Sequence, residues 1–147
     1  MSGRHLLLAG LALLGLGAAG ARSRPPAGPI AWLDDEERAF DESQRTGKPV
    51  LVDAWAEWCT ACKLMDRNTW SDPAVQRKVR DRFVPLRLDL TEESQATTAR
   101  SERYGVEGLP TVLACRAPGC TPRARLTGYF KAAELLDFLE SEASAAR

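Results

Sequence analysis

The six residues Val50-Leu51-Val52-Asp53-Ala54-Trp55 form a short apolar run, and four residues later the chain reaches Cys59-Thr60-Ala61-Cys62 and a helical pattern. Nothing else in the sequence restricts the fold as much. A run of this length and apolarity reads as a central strand covered on both faces, which calls for helices on either side of its sheet. The strand must hand over directly to a helix that opens on the first cysteine. There the first sulfur meets the positive end of the helix dipole and backbone N–H groups that have no partner within the helix. That setting favours thiolate over thiol, and thiolate is the species that attacks disulfides. The pair therefore reads as a redox dithiol, with Asp53 interrupting the strand six residues before Cys59.

A chain of 147 residues, 44% apolar and 27% charged, suits one globular domain with a real core and leaves no room for a second. Its 20 lysines and arginines balance 20 aspartates and glutamates. No basic run occurs in the part expected to fold, so nucleic acid is not an expected partner. Residues 1–21 are different material: Arg4, then a stretch of almost only Leu, Ala and Gly that closes on Ala19-Gly20-Ala21. This is the pattern of a secretory signal peptide, and the mature chain is expected to begin near Arg22. The other reading is an uncleaved anchor, for which the stretch falls short of the roughly 20 apolar residues a membrane span needs. Both readings export the domain, to the periplasm. An oxidising compartment makes disulfides among the four cysteines possible. The single histidine, His5, lies in the signal, so the mature chain carries no imidazole. Ser-His-Asp and Cys-His nucleophiles, and zinc sites that need histidine, are thereby excluded.

Residues 22–29 are a Pro-rich polar tether, and the domain is expected to occupy residues 30–147. Ile30-Ala31-Trp32 reads as a short edge strand, and residues 34–45 as a helix with acids in its first turn and Thr46-Gly47 at its end. After Cys62 the helix is expected to bend or break near residues 68–70. Ser71-Asp72-Pro73 then caps a second helical piece through Arg82, with proline in the first turn. Residues 83–90 read as a strand with Pro85 near its beginning. Thr91-Glu92-Glu93 is the expected cap of a helix to Tyr104, stopped by Gly105 in the left-handed region. Residues 111–115 and 123–127 read as paired strands around a turn, with Gly128 as a bulge or kink. Ala132, Leu135, Leu136, Leu139 and Ala143 recur at helical spacing, giving a closing amphipathic helix over residues 131–142. The order is α/β, parallel strands first and a hairpin last.

The stretch Val52-Asp53-Ala54-Trp55-Ala56-Glu57-Trp58-Cys59-Thr60-Ala61-Cys62-Lys63, with Gly108-Leu109-Pro110-Thr111 further on, resembles the thioredoxin family. Thr69-Trp70-Ser71-Asp72-Pro73-Ala74-Val75-Gln76 and Leu126-Thr127-Gly128-Tyr129-Phe130 narrow the likeness to the C-terminal periplasmic domain of DsbD-type thiol:disulfide interchange proteins. The resemblance spans roughly residues 30–142; that family's N-terminal and membrane domains have no counterpart in these 147 residues. It implies a thioredoxin-like α/β fold, a central mixed sheet of four to five strands flanked by helices on both faces. It implies Cys59 as the exposed nucleophile and Cys62 as the buried resolving thiol. Asp53 matches the family's buried acid beneath the dithiol, able to accept or relay the proton of Cys62. Pro110 matches a cis-proline facing the dithiol, so that the backbone of Leu109 pairs with a substrate chain like an added strand. Trp58 and Thr60, beside the nucleophile, are expected substrate contacts. No cofactor and no metal are implied. The implied partners are oxidised periplasmic thiol proteins, such as disulfide isomerases or cytochrome c maturation factors, and a membrane electron donor of the DsbD/CcdA type. The chain is expected to be a monomer.

Plainer readings stand beside these. Asp53 reads also as a strand-end acid, Trp55, Trp58 and Trp70 as core or rim aromatics, and Lys63 as a solvated helix residue. Cys115 and Cys120 flank Arg116-Ala117-Pro118-Gly119, and a structural bridge across this hairpin tip is expected. Its rivals are a second redox relay and a four-cysteine zinc site shared with Cys59 and Cys62. A purely structural Cys59–Cys62 bridge is disfavoured, because closing so short a loop contributes only about 2 kcal/mol. Between the two cysteines, Thr60-Ala61 adds no imidazole and no charge to stabilise the thiolate further, and a strongly oxidising couple depends on such stabilisation. The expected function is a protein-disulfide reductase working through a mixed disulfide. A disulfide oxidase or isomerase, and a redox-inert binding module, are the alternatives.

Overall fold

In the computed structural model the described residues are 28–145; the expected signal peptide (1–21) and the tether up to residue 27 lie outside them. The elements run α1 (Glu36–Thr46), β1 (Val50–Trp55), α2 (Thr60–Asn68), α3 (Pro73–Arg82), β2 (Val84–Asp89), α4 (Gln95–Tyr104), β3 (Thr111–Cys115), β4 (Arg125–Thr127) and α5 (Ala132–Ser144). The four strands form one mixed sheet in the order β2-β1-β3-β4. β1 and β2 are parallel, from Val50 opposite Val84 to Trp55 opposite Asp89. β3 runs antiparallel to β1, with Val50 opposite Cys115, and β4 returns antiparallel along β3. This is the expected thioredoxin-like α/β architecture with the apolar run at its centre.

Because successive strand residues face opposite sides, β1 divides the core into two layers. Val50, Val52 and Ala54, with Val84, Leu86, Leu88, Leu113 and Cys115, pack against Ala39 and Phe40 of α1 and Tyr104 of α4. Leu51, Val112 and Ala114 face the other way, onto Met65 of α2, Val75 and Val79 of α3, and Leu135, Phe138 and Leu139 of α5. Asp53 shares the second face with Leu51, which is the face that α2 covers. Leu51 is fully buried, so truncating it to alanine would cost about 2–5 kcal/mol.

Caps decide where most helices begin and end. Asp35 accepts from the Arg38 N–H and caps α1, which begins at Glu36, two residues after the expected start at Asp34. Asp72 accepts from the N–H groups of Ala74 and Val75, and Pro73 opens α3 as the sequence pattern predicts. Gly105 closes α4 at φ 60°, in the left-handed region where a side chain is disfavoured.

Other boundaries differ from expectation as well. Ile30-Ala31-Trp32 forms no strand; the segment makes a single parallel bridge, Leu33 to Leu86, before Asp35 caps α1. Phe83 caps α3, so β2 begins at Val84 and Pro85 is its second residue. α4 is capped by Ser94 instead of Thr91-Glu92-Glu93, because Thr91 is occupied elsewhere: its hydroxyl accepts from the Glu57 N–H and its carbonyl from the Trp58 indole. Ser94 and Thr97 then satisfy each other's backbone N–H in a capping box. β4 is limited to Arg125–Thr127, since the segment before it is tied back by the Cys115–Cys120 bridge and Pro122 lacks an N–H to donate.

Candidate active site

Cys59 is itself the N-cap of α2. Its backbone is extended (φ −81°, ψ 102°), its sulfur accepts the Cys62 N–H at 3.1 Å, and its carbonyl accepts the Lys63 N–H at 3.2 Å. Cys59 and Cys62 are joined as a disulfide. The first sulfur therefore sits at the head of the helix and accepts one of its otherwise unpartnered N–H groups, at the end of the helix dipole that favours negative charge. Cys59 and Cys62 are 6% and 3% exposed, so the expected contrast between an open nucleophile and a buried partner is small in the bonded form. The bridge folds the Cys59 sulfur back over the first turn of α2. What separates the two is position: Cys59 borders an open groove, and Cys62 does not.

The loop before Cys59 is pinned to the loop after β2. Leu90 N–H donates to the Trp55 carbonyl, Glu57 N–H to the Thr91 hydroxyl at 2.9 Å, and the Trp58 indole to the Thr91 carbonyl at 3.0 Å. Trp58 is nonetheless 64% exposed, with its ring held in place beside the dithiol. Thr60 and Lys63 are exposed on the first turn of α2. On the opposite side, the Leu109–Pro110 peptide bond is cis. Leu109 packs onto the small cluster of Ala56, Cys59 and Cys62, while Pro110 is buried. The Thr111 hydroxyl donates to the Gly108 carbonyl at 2.7 Å, and the Gly128 N–H to the Pro110 carbonyl at 2.8 Å, which anchors this turn to β4. The fold thus gathers Trp58, Cys59, Thr60, Cys62, Leu109 and Pro110 at one end of the sheet.

Asp53, on the face of β1 that α2 covers, is 1% exposed. It lies opposite Arg87 of β2, whose Nη2 and Nε both donate to Asp53 Oδ2, at 2.8 and 3.1 Å. Arg87 Nη2 also reaches Asp66 Oδ1 on α2 at 2.6 Å. The guanidinium carbon lies over two indoles, 4.7 Å from the Trp32 ring centre and 5.0 Å from that of Trp55. Asp53 Oδ1 is the one buried side-chain oxygen or nitrogen among the described residues without a hydrogen-bond partner. Burial raises the Asp53 pKa from 3.8 to about 6, although the Arg87 charge and hydrogen bonds pull it down; the Asp66 carboxylate adds a smaller upward push. A carboxyl with that pKa and one bare oxygen can take a proton near neutrality and return it.

Arg87, Asp66 and Trp32 did not emerge from the sequence as site residues. The available signal was a lone arginine inside the apolar strand 84–89, which needs an acid on a neighbouring element to be buried there.

Cys115 and Cys120 are bonded to each other. Cys115 sits opposite Val50, at the end of β1 away from the dithiol, so the sheet keeps the two cysteine pairs apart and the four-cysteine zinc reading has no geometry to support it. Among the described residues, no group of three or more His, Cys, Asp or Glu side chains is placed to hold a metal ion, and no helix is long and apolar enough to cross a membrane.

Residues 31–117 match the family described as thioredoxin-like. Over 104 residues the chain is 43% identical to the thiol:disulfide interchange protein DsbD of Cronobacter sakazakii, covering 70% of this chain and 18% of that protein. The chain thus spans less than a fifth of the length of such curated relatives. Among solved structures, the oxidised C-terminal domain of Neisseria meningitidis DsbD aligns at 25% identity with a TM-score of 0.65, covering 76% of this chain and 99% of that one. A thioredoxin from Thermus thermophilus aligns at 28% identity and a TM-score of 0.66, covering 78% and 87%. With its match running from the segment before α1 through β3, the chain belongs to the thioredoxin-like family, and its relatives include DsbD.

Proposed function

We propose that this chain is a periplasmic thiol:disulfide oxidoreductase that works in the reducing direction. The observation that carries the reading is the placement of Cys59 as the cap of α2, beside an exposed Trp58 and against the Leu109–Pro110 turn. In the reduced protein the Cys59 thiolate attacks one sulfur of a substrate disulfide. A mixed disulfide forms and the first substrate thiolate leaves. Cys62 then gives up its proton to the bare oxygen of Asp53 and attacks the Cys59 sulfur. The Cys59–Cys62 bond forms, the second substrate thiolate leaves, and two electrons have passed from the dithiol to the substrate. Leu109 offers its backbone beside the dithiol as an edge for the substrate chain.

The direction rests on Thr60-Ala61, which gives the thiolate no extra stabilisation. Export rests on the composition of residues 1–21 and on the periplasmic character of DsbD-type relatives. A reducing dithiol in an oxidising compartment needs a supplier, and a membrane dithiol donor of the DsbD/CcdA type has the right chemistry. Three measurements test the reading. The protein should accelerate insulin reduction by dithiothreitol, and Cys59→Ala should abolish this; a wild-type protein without effect would leave only a redox-inert binding module. A reduction potential near about −120 mV would overturn the direction in favour of an oxidase. Cys62→Ala, which stops the second step, should accumulate mixed disulfides with periplasmic thiol proteins.

A further inference from the structure

A groove of about 680 Å³ opens beside Cys59 and runs from Trp58 along α4 to the turn at residues 106–109. Leu90, Val106 and Leu109 give it apolar contact surface, while Glu92, Glu93, Glu102 and Glu107 line it with carboxylates and, among the described residues, no lysine or arginine borders it. All four glutamates are exposed, and none forms an ion pair within the described residues. The neighbouring arginines are turned elsewhere. Arg103 donates to Glu36 at 2.8 Å, Arg125 to the Gly105 carbonyl, and Arg100 lines a separate hollow with Asp34, Asp35 and Asp89. In a chain whose formal charge sums to +0, this is a strong local asymmetry at the mouth of the dithiol.

Any protein whose disulfide reaches the Cys59 sulfur must lay the residues flanking its own cysteine across Trp58 and Leu109, and so along this wall. We propose that the groove selects, among oxidised thiol proteins, those with lysine or arginine beside the target cysteine. The inference rests on the reading above, that Cys59 receives a substrate disulfide, and adds the chemical class of that substrate. Exposed carboxylates act here chiefly by steering: a groove of one sign raises the association rate of an oppositely charged partner by tenfold or more, and the gain fades with ionic strength.

The test uses three cystine-bridged peptides of equal length and loop size, flanked by lysines, serines or glutamates, mixed with the pre-reduced protein in single-turnover stopped flow. Each rate is divided by that peptide's rate with dithiothreitol, which removes intrinsic differences in disulfide reactivity. The wild type is expected to reduce the lysine peptide roughly tenfold faster than the glutamate peptide at low salt, with the serine peptide between them. The ratio should fall towards one at about 0.5 M NaCl, where charges are screened within a few ångströms. It should also fall towards one in the Glu92→Gln/Glu93→Gln/Glu102→Gln/Glu107→Gln variant. Equal rates in the wild type, or a preference that survives in the variant, overturn the groove proposal and leave the reductase reading standing. Reduction of none of the peptides overturns the reductase reading and the groove proposal with it.

Discussion

Asp53 gives one oxygen to Arg87 and leaves the other bare in the core. Its pKa, raised from 3.8 to about 6 chiefly by burial, has two measurable consequences. The first is on stability. Between pH 4 and 6, on the order set by those values, the native state binds more protons than the unfolded chain, so stability falls as pH rises through that window. The full effect is about 3 kcal/mol. Asp53→Asn in the oxidised protein is expected to flatten this slope, measured by urea unfolding across the window; an unchanged slope would remove Asp53 as its source. The second is on rate. If the carboxylate takes the Cys62 proton, resolution of the mixed disulfide should rise with pH through about 6 and then level. Asp53→Asn should lose that inflection and run about 10–100-fold slower near neutral pH. Arg87→Gln makes the sharper variant, because it keeps the acid and removes the cation that holds its pKa down. The inflection is then expected to move to higher pH, and a profile identical to wild type would show that Arg87 serves packing alone. Arg87 is well placed for this role: burial opposes its charge, but Asp53 and Asp66 outweigh that and keep its pKa above the usual value.

At the scale of elements, the joint between β1 and α2 does most to build the site, and it was the part most legible in the sequence. An apolar run followed by Cys-x-x-Cys allows little besides a buried strand entering a helix at the first sulfur, and the bounds of β1 and the cap at Cys59 follow that pattern, as the break after Asn68 follows the expected bend near residues 68–70. Arg87 and Asp66 were not legible, because their meeting with Asp53 depends on which strand lies beside β1 and in what register. The start of α4 was misplaced for a similar reason: Thr91 has good capping chemistry, but a loop more than thirty residues earlier in the chain uses it first. Since Cys59 is the cap of α2 and also the proposed nucleophile, its two roles can be separated. Cys59→Ser keeps an oxygen that can accept the Cys62 N–H and should match the reduced wild type in stability, whereas Cys59→Ala should lose about 1 kcal/mol. Both should be inactive. Equal stability of the two variants, by denaturant unfolding under reducing conditions, would remove the capping role and leave the chemical one.

Across the whole molecule, two disulfides sit at opposite ends of one sheet, and their surroundings differ in a way that assigns them different work. The Cys59 sulfur faces the head of α2 and accepts a backbone N–H. The Cys115 and Cys120 sulfurs lie near backbone carbonyl oxygens, those of Cys120 at 4.0 Å and Ala114 at 3.7 Å, and no helix starts there. Carbonyl dipoles oppose the thiolate that disulfide exchange requires, as leaving group or as attacker. The second bridge therefore reads as a staple that holds the 116–124 segment against β3, and not as a relay for electrons. Closing a loop of this size is worth about 2 kcal/mol in the chain-entropy account. The Cys115→Ser/Cys120→Ser double variant is accordingly expected to lose about that much stability while reducing insulin at the wild-type rate. Thiol counting adds an independent check. Mild reductant should release two thiols from the folded wild type, assigned by mass to Cys59 and Cys62, and all four only when the chain is unfolded. A double variant that keeps its stability but loses turnover would reverse the assignment, because only a bridge that carries electrons has its removal felt at the dithiol across the sheet.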